Sequence, residues 1–145
     1  MSDAKNSILI VDDTASNIAA LSNLLGNEYT IYAAKNGPTA VTIATNHLPD
    51  LILLDILMPE MNGYAVLAEL KAAKATRDIP VIIITGLDSD QDEARGLALD
   101  AADYISKPFN GTIVKLRIRN QLKIVNALRE IAVLKEKNKG RMPWL

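Results

Sequence analysis

Four places in this chain put a side chain capable of ionic chemistry directly behind an apolar run. Asp12 and Asp13 follow Ile8-Leu9-Ile10-Val11, Asp55 follows Leu51-Ile52-Leu53-Leu54, Thr85 ends Val81-Ile82-Ile83-Ile84, and Lys107 follows the shorter Tyr104-Ile105. Two adjacent acids with a third nearby concentrate negative charge, and a hard divalent cation resolves that conflict. Mg²⁺ takes oxygen ligands in octahedral geometry and keeps several waters, so one or two carboxylates and a carbonyl suffice. Asp13 and Asp55 are the expected direct ligands, Asp12 acts partly through water, and the Leu57 carbonyl is the expected third. With the metal present, the Asp55 carboxylate can attack a phosphoryl group and form an acyl phosphate. The metal and Lys107 would balance charge on the equatorial oxygens, while the Thr85 hydroxyl and the amide after Asp55 donate hydrogen bonds. No general base is needed, because a carboxylate at neutral pH is already deprotonated. Taken singly, Asp-Asp at a strand end is equally a helix cap and Lys-Pro a turn. Only their coincidence carries the reading.

That coincidence depends on the elements that hold these residues. Continuous Val/Ile/Leu runs read as strands buried on both faces. The segments between them are long enough for helices, so parallel strands with helical crossovers follow, and all strand exits share one edge. The apolar spacing of Ile18, Ala19, Leu21, Leu24 and Leu25 predicts a helix over 14–26, capped by Thr14 or Ser16 and stopped at Gly26. Strands are expected over 29–33, 51–55, 81–85 and 103–106. Helices are expected over 39–45, after Asn36-Gly37-Pro38 and with Ala40, Val41 and Ala44 inward, then over 64–73 and 91–99. Met58-Pro59-Glu60-Met61-Asn62-Gly63 should reverse the chain before the 64–73 helix.

The last element, Thr112 to about Lys137, reads as one helix of roughly 26 residues, about 39 Å long at the usual rise. It must outrun the globule. Ile118, Val125, Leu128 and Ala132 form one stripe, and Ile124, Ala127, Ile131 and Leu134 another. Beyond Leu122 no domain of this size is left to cover them. The stripes fit a helix folded on its own surface, a coiled-coil homodimer seam with Gln121 and Lys135 intruding, or a connector. Residues 1–122 are expected to form the domain and 123–140 a helical extension. Arg141-Met142-Pro143-Trp144-Leu145 reads as a tail.

Composition removes other classes. At 145 residues, 49% of them hydrophobic and 23% charged, the chain fits one globular domain. A net charge of -1 offers no basic face for nucleic acid. The absence of cysteine excludes thiolate chemistry and Cys-type zinc sites. His47, the only histidine, lies in a polar linker, Asn46-His47-Leu48-Pro49, and reads as a solvated surface residue. No apolar run approaches the roughly 18 residues of a membrane span, and the amino terminus has no signal-peptide pattern. No membrane association and a cytoplasmic location are expected.

The quoted residues resemble the receiver domain of a bacterial two-component response regulator. The resemblance covers about residues 7 to 122. It rests on Ile8-Leu9-Ile10-Val11-Asp12-Asp13, on Leu54-Asp55 followed by Met58-Pro59-Glu60-Met61-Asn62-Gly63, on Ile84-Thr85-Gly86, and on Asp103-Tyr104-Ile105-Ser106-Lys107-Pro108-Phe109. It implies a flavodoxin-like, doubly wound α/β fold with a five-stranded parallel sheet in the order 2-1-3-4-5. It implies phosphorylation of Asp55 by a histidine kinase or phosphotransfer protein, a Mg²⁺ pocket that includes Asp12 and Asp13, Lys107 on the phosphoryl group, and a switch formed by Thr85 and Tyr104. The phosphoryl oxygens would draw the Thr85 hydroxyl inward and the Tyr104 ring would fill the vacated space, biasing a two-state equilibrium of the 4-5 face.

Three departures stand out. Gly86 replaces the usual alanine, which should loosen the loop and open the pocket. Asp100 replaces the usual turn glycine, and Asp tolerates left-handed geometry. Leu57 and Leu87 stand where many relatives carry polar groups, so no side chain there orients a hydrolytic water and the phosphoryl group should be long-lived. Arg119-Asn120-Gln121-Leu122, running into a longer helix, resembles receivers joined to cyclic-di-nucleotide enzymes or other output domains. A single-domain regulator is the expectation if the chain is complete, and an output domain beyond about residue 140 if it is not. The rivals are an aspartyl phosphatase, which lacks its usual second acid because that place is Leu57, and a dimerising scaffold that needs no phosphorylation. A nucleotide-binding module is disfavoured because neither Gly-x-Gly-x-x-Gly nor a Walker-type lysine loop is present.

Overall fold

Five parallel strands in the order β2-β1-β3-β4-β5 set the frame of this computed structural model, which describes residues 5–58, 62–86 and 90–140. The strands are β1 (Ser7–Val11), β2 (Thr30–Ala34), β3 (Leu51–Leu54), β4 (Val81–Thr85) and β5 (Asp103–Ser106). The helices are α1 (Ala15–Leu25), α2 (Gly37–His47), α3 (Gly63–Ala72), α4 (Asp90–Ala98) and α5 (Gly111–Gly140). Leu87, Pro59, Glu60 and Met61, and the tail from Arg141 to Leu145 lie outside the described residues.

The inner strands are apolar at every position but their ends, Ser7 of β1 and Thr85 of β4, because both of their faces are covered. Alternate residues of β3 and β4 divide between two cores. Ile52, Leu54, Val81 and Ile83 pack with Ala40, Ala44, Val66, Leu67 and Leu70 on the side of α2 and α3. Leu51, Leu53, Ile82 and Ile84 pack with Leu21, Leu25, Val114, Ile118 and Leu122 on the side of α1 and α5. The sequence therefore yields helices on both faces, the doubly wound arrangement expected of it.

Several local expectations are corrected. Thr14 occupies the first cap position, but its side chain makes no cap hydrogen bond. The helix expected over 39–45 begins at Gly37 and runs to His47, because the Asn36 side chain accepts from Thr39 N and Pro38 suits a first turn. His47 is therefore a helix residue and not part of a linker. It is exposed, as expected, and its ring stacks on Tyr32 with centroids 4.7 Å apart. The helix closes on Leu48 at φ 47, a left-handed conformation that costs a leucine about 1–2 kcal/mol. Asp100 is the other non-glycine residue at positive φ, at 68, as its place in the turn before β5 foretold.

The chain turns back before α3 as expected, with Gly63 N donating to Ile56 O at 3.1 Å, and Asn62-Gly63 at the same time starts the helix, one residue earlier than expected. The Asn62 side chain accepts from Tyr64 N at 2.8 Å, and a Cβ on Gly63 would stand 2.5 Å from Ile56 Cα and 2.6 Å from Asp55 O. Only glycine lets α3 begin this close to the Asp55 backbone.

The last helix is longer than expected, 30 residues, about 45 Å. Val114, Ile118 and Leu122 root it in the core. Beyond Leu122 the stripe residues Ile124, Leu128, Ile131 and Leu134 stay exposed, as expected, but two polar residues of this stretch do reach the domain. Asn126 exchanges two amide hydrogen bonds with Asn6 at 3.2 Å each, and Arg129 donates to Asp50. Asp50, just before β3, also accepts from Ser7 N at 2.7 Å and from Asn6 Nδ2 at 3.2 Å. Burial alone would raise the Asp50 carboxyl. The Ser7 amide, Arg129 and Asn6 outweigh it and hold the group below its ordinary value of 3.8.

A carboxylate depressed in the folded chain contributes stability above its unfolded value and loses it as pH falls through the folded one. Urea unfolding of Asp50→Asn beside the parent should show a stability deficit that is full above about pH 5 and closes below about pH 4. A pH-independent deficit would mean that the ionised group is not what stabilises this corner.

Candidate functional site

Strand order reverses between β1 and β3, and at such a point the crossover helices diverge and leave a crevice beyond the carboxyl ends of the strands. Asp12 and Asp13 leave β1 at this crevice and Asp55 leaves β3. Val11 pairs with Leu54, and Asp55 N donates to Val11 O at 2.9 Å, which sets the acids side by side. One carboxylate oxygen from each of Asp12, Asp13 and Asp55 lies within 4.8 Å of the others. Asp12 is 1% exposed and Asp55 3%, whereas Asp13 is partly open to solvent.

Lys107 reaches the same point from β5. Its Nζ donates to Asp12 Oδ2 at 3.0 Å and to Asp55 Oδ2 at 3.1 Å, and its backbone N–H donates to Thr85 O at 2.9 Å. The Lys107–Pro108 peptide is cis. Burial on its own would lower the ammonium pKa. The hydrogen bonds and charges of Asp12 and Asp55 reverse that, and Lys107 sits above its ordinary value, firmly protonated. The sequence-predicted acids and lysine thus form one bonded cluster.

The remaining oxygens are partly used. Asp55 Oδ1 accepts from Leu57 N at 3.0 Å, so the amide that reaches this carboxylate is two residues on. The Leu57 side chain stands 52% exposed. Asp12 Oδ1 accepts from Thr14 N at 3.0 Å, and Asn17 Nδ2 lies 3.5 Å and 3.3 Å from its two oxygens. Asn17, one turn into α1, is the site residue that sequence reading missed. An amide on a helix flank carries no signal until the helix is seen to bend back over the acids.

Thr85 is fully buried at the end of β4, and Tyr104 is partly buried on β5, where it pairs with Ile83, two residues before the pair Thr85↔Ser106. Alternation puts Thr85 on the face of Ile83 and Tyr104, toward α3 and α4. A Cβ on Gly86 would meet nothing within 4 Å, consistent with a loop left open by the missing methyl.

The donor set suits Mg²⁺. All three candidate groups are carboxylates, and their oxygens lie within 4.8 Å of one another, close to the about 4.2 Å between opposite ligands of an octahedral Mg²⁺, so at most small rotations would close the shell. Asp13 and Asp55 have the freer oxygens, because Asp12 is already spanned by Thr14, Asn17 and Lys107.

Comparison with known proteins agrees with this geometry. The family model for the response regulator receiver domain matches residues 8–119. Over 115 residues the chain is 44% identical to a Vibrio cholerae protein named "Probable cyclic di-GMP phosphodiesterase", covering 79% of this chain and 26% of that one. Over 127 residues it is 39% identical to the response regulator PleD of Caulobacter vibrioides, covering 85% and 28%. The chain thus spans about a quarter of the length of these curated relatives. Among solved structures, a response regulator receiver domain protein of Methanospirillum hungatei aligns with a TM-score of 0.80 at 26% identity, covering 86% of this chain and 98% of that one.

Partners that orient a metal-binding carboxylate typically change metal affinity by about 10–100-fold when removed. Asn17→Ala should therefore weaken Mg²⁺ binding about tenfold in a calorimetric titration. An unchanged Kd would reduce Asn17 to an ordinary residue of the helix flank.

Proposed function

The chain belongs to the response regulator receiver domain family, and from that premise we propose that it accepts a phosphoryl group on Asp55 from a histidine kinase or phosphotransfer protein. The observation that carries this reading is the Lys107 ammonium bonded to both Asp12 and Asp55 beside the open Asp13.

In the transfer, an Asp55 oxygen bonds to phosphorus, and the bond from phosphorus to the donor's imidazole nitrogen breaks. The nitrogen keeps the electron pair and takes up a proton. Bound Mg²⁺, held by Asp13, Asp55 and the Leu57 carbonyl with Asp12 through water, would supply charge neutralisation. Lys107 exchanges its bond to Asp55 for one to a phosphoryl oxygen, which its raised basicity allows without loss of charge. The Leu57 N–H, already aimed at Asp55 Oδ1, steadies the acceptor. Thr85 follows the phosphoryl oxygens and Tyr104 follows Thr85, which shifts the 4-5 face, formed by α4 and β5, relative to α5.

Residues up to about 122 are the receiver, and the rest of α5 is an extension that carries the change to an output domain, an effector or a second copy of the chain. Ile124, Leu128, Ile131 and Leu134 are exposed on it, which supports a homodimer seam. Among the described residues no helix is long and apolar enough to cross a membrane, and we place the protein in the cytoplasm.

Intact mass after incubation with acetyl phosphate and Mg²⁺ should show one phosphoryl adduct that is absent from Asp55→Ala and from the metal-free sample. If acetyl phosphate leaves no adduct and beryllofluoride does not bind, the phosphorylation-independent scaffold is the better reading. The apolar mouth supports a long-lived acyl phosphate, since no side chain at Leu57 holds a water in line. The double variant Leu57→Asn, Leu87→Glu should lose phosphate about tenfold faster or more. Equal decay rates would remove that explanation of the mouth.

A further inference from the structure

The long helix leaves the domain twice attached. Its root, from Val114 to Leu122, belongs to the apolar core built by α1 and one face of the sheet, with most of the strand side chains from β1, β3 and β4 and Ile105 alone from β5. Beyond Val125 the helix stands off the body. A groove of about 500 Å³ separates Val125, Leu128 and Ala132 from Leu48, Pro49, Ile79 and Pro80. Apolar contact therefore does not hold this stretch down. What bridges the gap is polar: the reciprocal amides of Asn126 and Asn6, and the Arg129 guanidinium on Asp50.

The receiving side of this bridge is built into the sheet. Asp50 is fixed by Ser7 N, Ser7 Oγ and Asn6 Nδ2, and its own N–H donates to Ser7 O at 2.9 Å. Asn6 O accepts from Thr30 N at 3.0 Å, which ties the same corner to β2. With Arg129 docked, 12% of the Asp50 side chain is exposed, so the guanidinium completes the set of donors around a carboxylate otherwise held by Ser7 and Asn6. Arg129, 57% exposed, retains its hydration and its freedom until it docks. The asymmetry is that of a fixed socket and a movable pin.

We propose that the Asn6–Asp50 corner is a latch that fastens the α5 extension to the β1–β3 half of the sheet, making receiver and extension one rigid body up to about Arg129. β1 and β3 carry Asp12, Asp13 and Asp55 at their other ends, about 17 Å away along β3. The extension is therefore referenced to the strands that hold the phosphoryl site, and the face that contains Thr85 and Tyr104 moves against it. Without the latch the extension would be a tether pivoting about Leu122.

The chain has no cysteine, so two introduced ones can be labelled cleanly. Spin labels at Glu69→Cys on α3 and Glu136→Cys on α5, with labelled chain diluted in unlabelled chain, report the intramolecular distance by pulsed electron resonance. One narrow distribution is expected for the parent pair. Asn126→Ala with Arg129→Ala should at least double its width while the thermal unfolding of the domain stays cooperative. A parent distribution as broad as the variant's, or a variant as narrow as the parent, overturns the latch. Hydrogen exchange on the unsubstituted chain gives an independent reading. Amides of 124–130 should exchange no more than about tenfold faster than those of 114–122 if the latch holds. Fraying of 124–130 by a larger factor speaks against it.

Discussion

Three carboxylates at one edge of a sheet, two of them almost without solvent, are unsustainable without a positive partner, and Lys107 is that partner. Its ammonium sits between Asp12 and Asp55 at hydrogen-bonding distance from both. The arrangement depends on β5 lying two strands away from β3, so that a side chain of lysine length, and no shorter, spans the gap. Removing one member of such a buried group leaves an uncompensated charge, which costs far more than the pair is worth. The cluster is therefore self-supporting yet exchangeable: a cation and a phosphoryl group bring new charges of both signs, and Lys107 can trade one oxygen for another.

What positions this cluster is the closeness of backbone to backbone around Asp55. Asp55 N is bonded to β1 and Asp55 Oδ1 to Leu57 N, and α3 starts against Asp55 O at a residue where no Cβ fits. The acceptor is held from three directions before any ligand arrives, and this preorganisation is what gives positioned charges their effect. Leu57 itself points outward, so the same turn that fixes the acceptor presents an apolar side chain at the mouth.

The inner strands and the acid–lysine set were legible in the sequence because β1, β3 and β4 are built on continuous apolar runs and the acids and the lysine sit at strand exits. Parallel pairing then brings exits together whatever their separation along the chain. Asn36, Asn62 and Asn17 were not legible in the same way. Each is an amide whose meaning depends on which backbone or carboxylate turns out to lie beside it: a helix start at Asn36, a helix start at the close of a turn at Asn62, and a hand on Asp12 at Asn17. The bond between Asp50 and Arg129 joins residues 79 apart, one in a loop and one on a helix flank, with no periodic pattern to link them. Apolar periodicity reports burial. It says nothing about which polar groups meet.

The two ends of β1 and β3 give the sheet a mechanical sense that composition alone would not reveal. Apolar packing fills both faces of these strands completely, and close-packed interiors resist deformation and transmit displacement as a unit. β4 is buried along its whole length, but the edge strand β5 is less constrained: it has only Ile105 in the core, and Tyr104 stands partly exposed. A perturbation at Asp55 therefore meets a stiff half and a soft half, and the displacement goes to the soft one. The root of α5 belongs to the stiff half through Val114, Ile118 and Leu122, while Arg117, bidentate on Asp103 at 2.9 Å, touches the soft half at the start of β5. That ion pair is exposed, and such pairs contribute about 0–1 kcal/mol, so β5 is tied to the helix chiefly through Ile105, against Ile8, Ile10, Leu51 and Leu53 from β1 and β3. The helix is thus free to stay with β1 and β3 while β5 and α4 respond, and relative motion between the two halves, more than movement of the helix itself, is what this architecture can report to a partner.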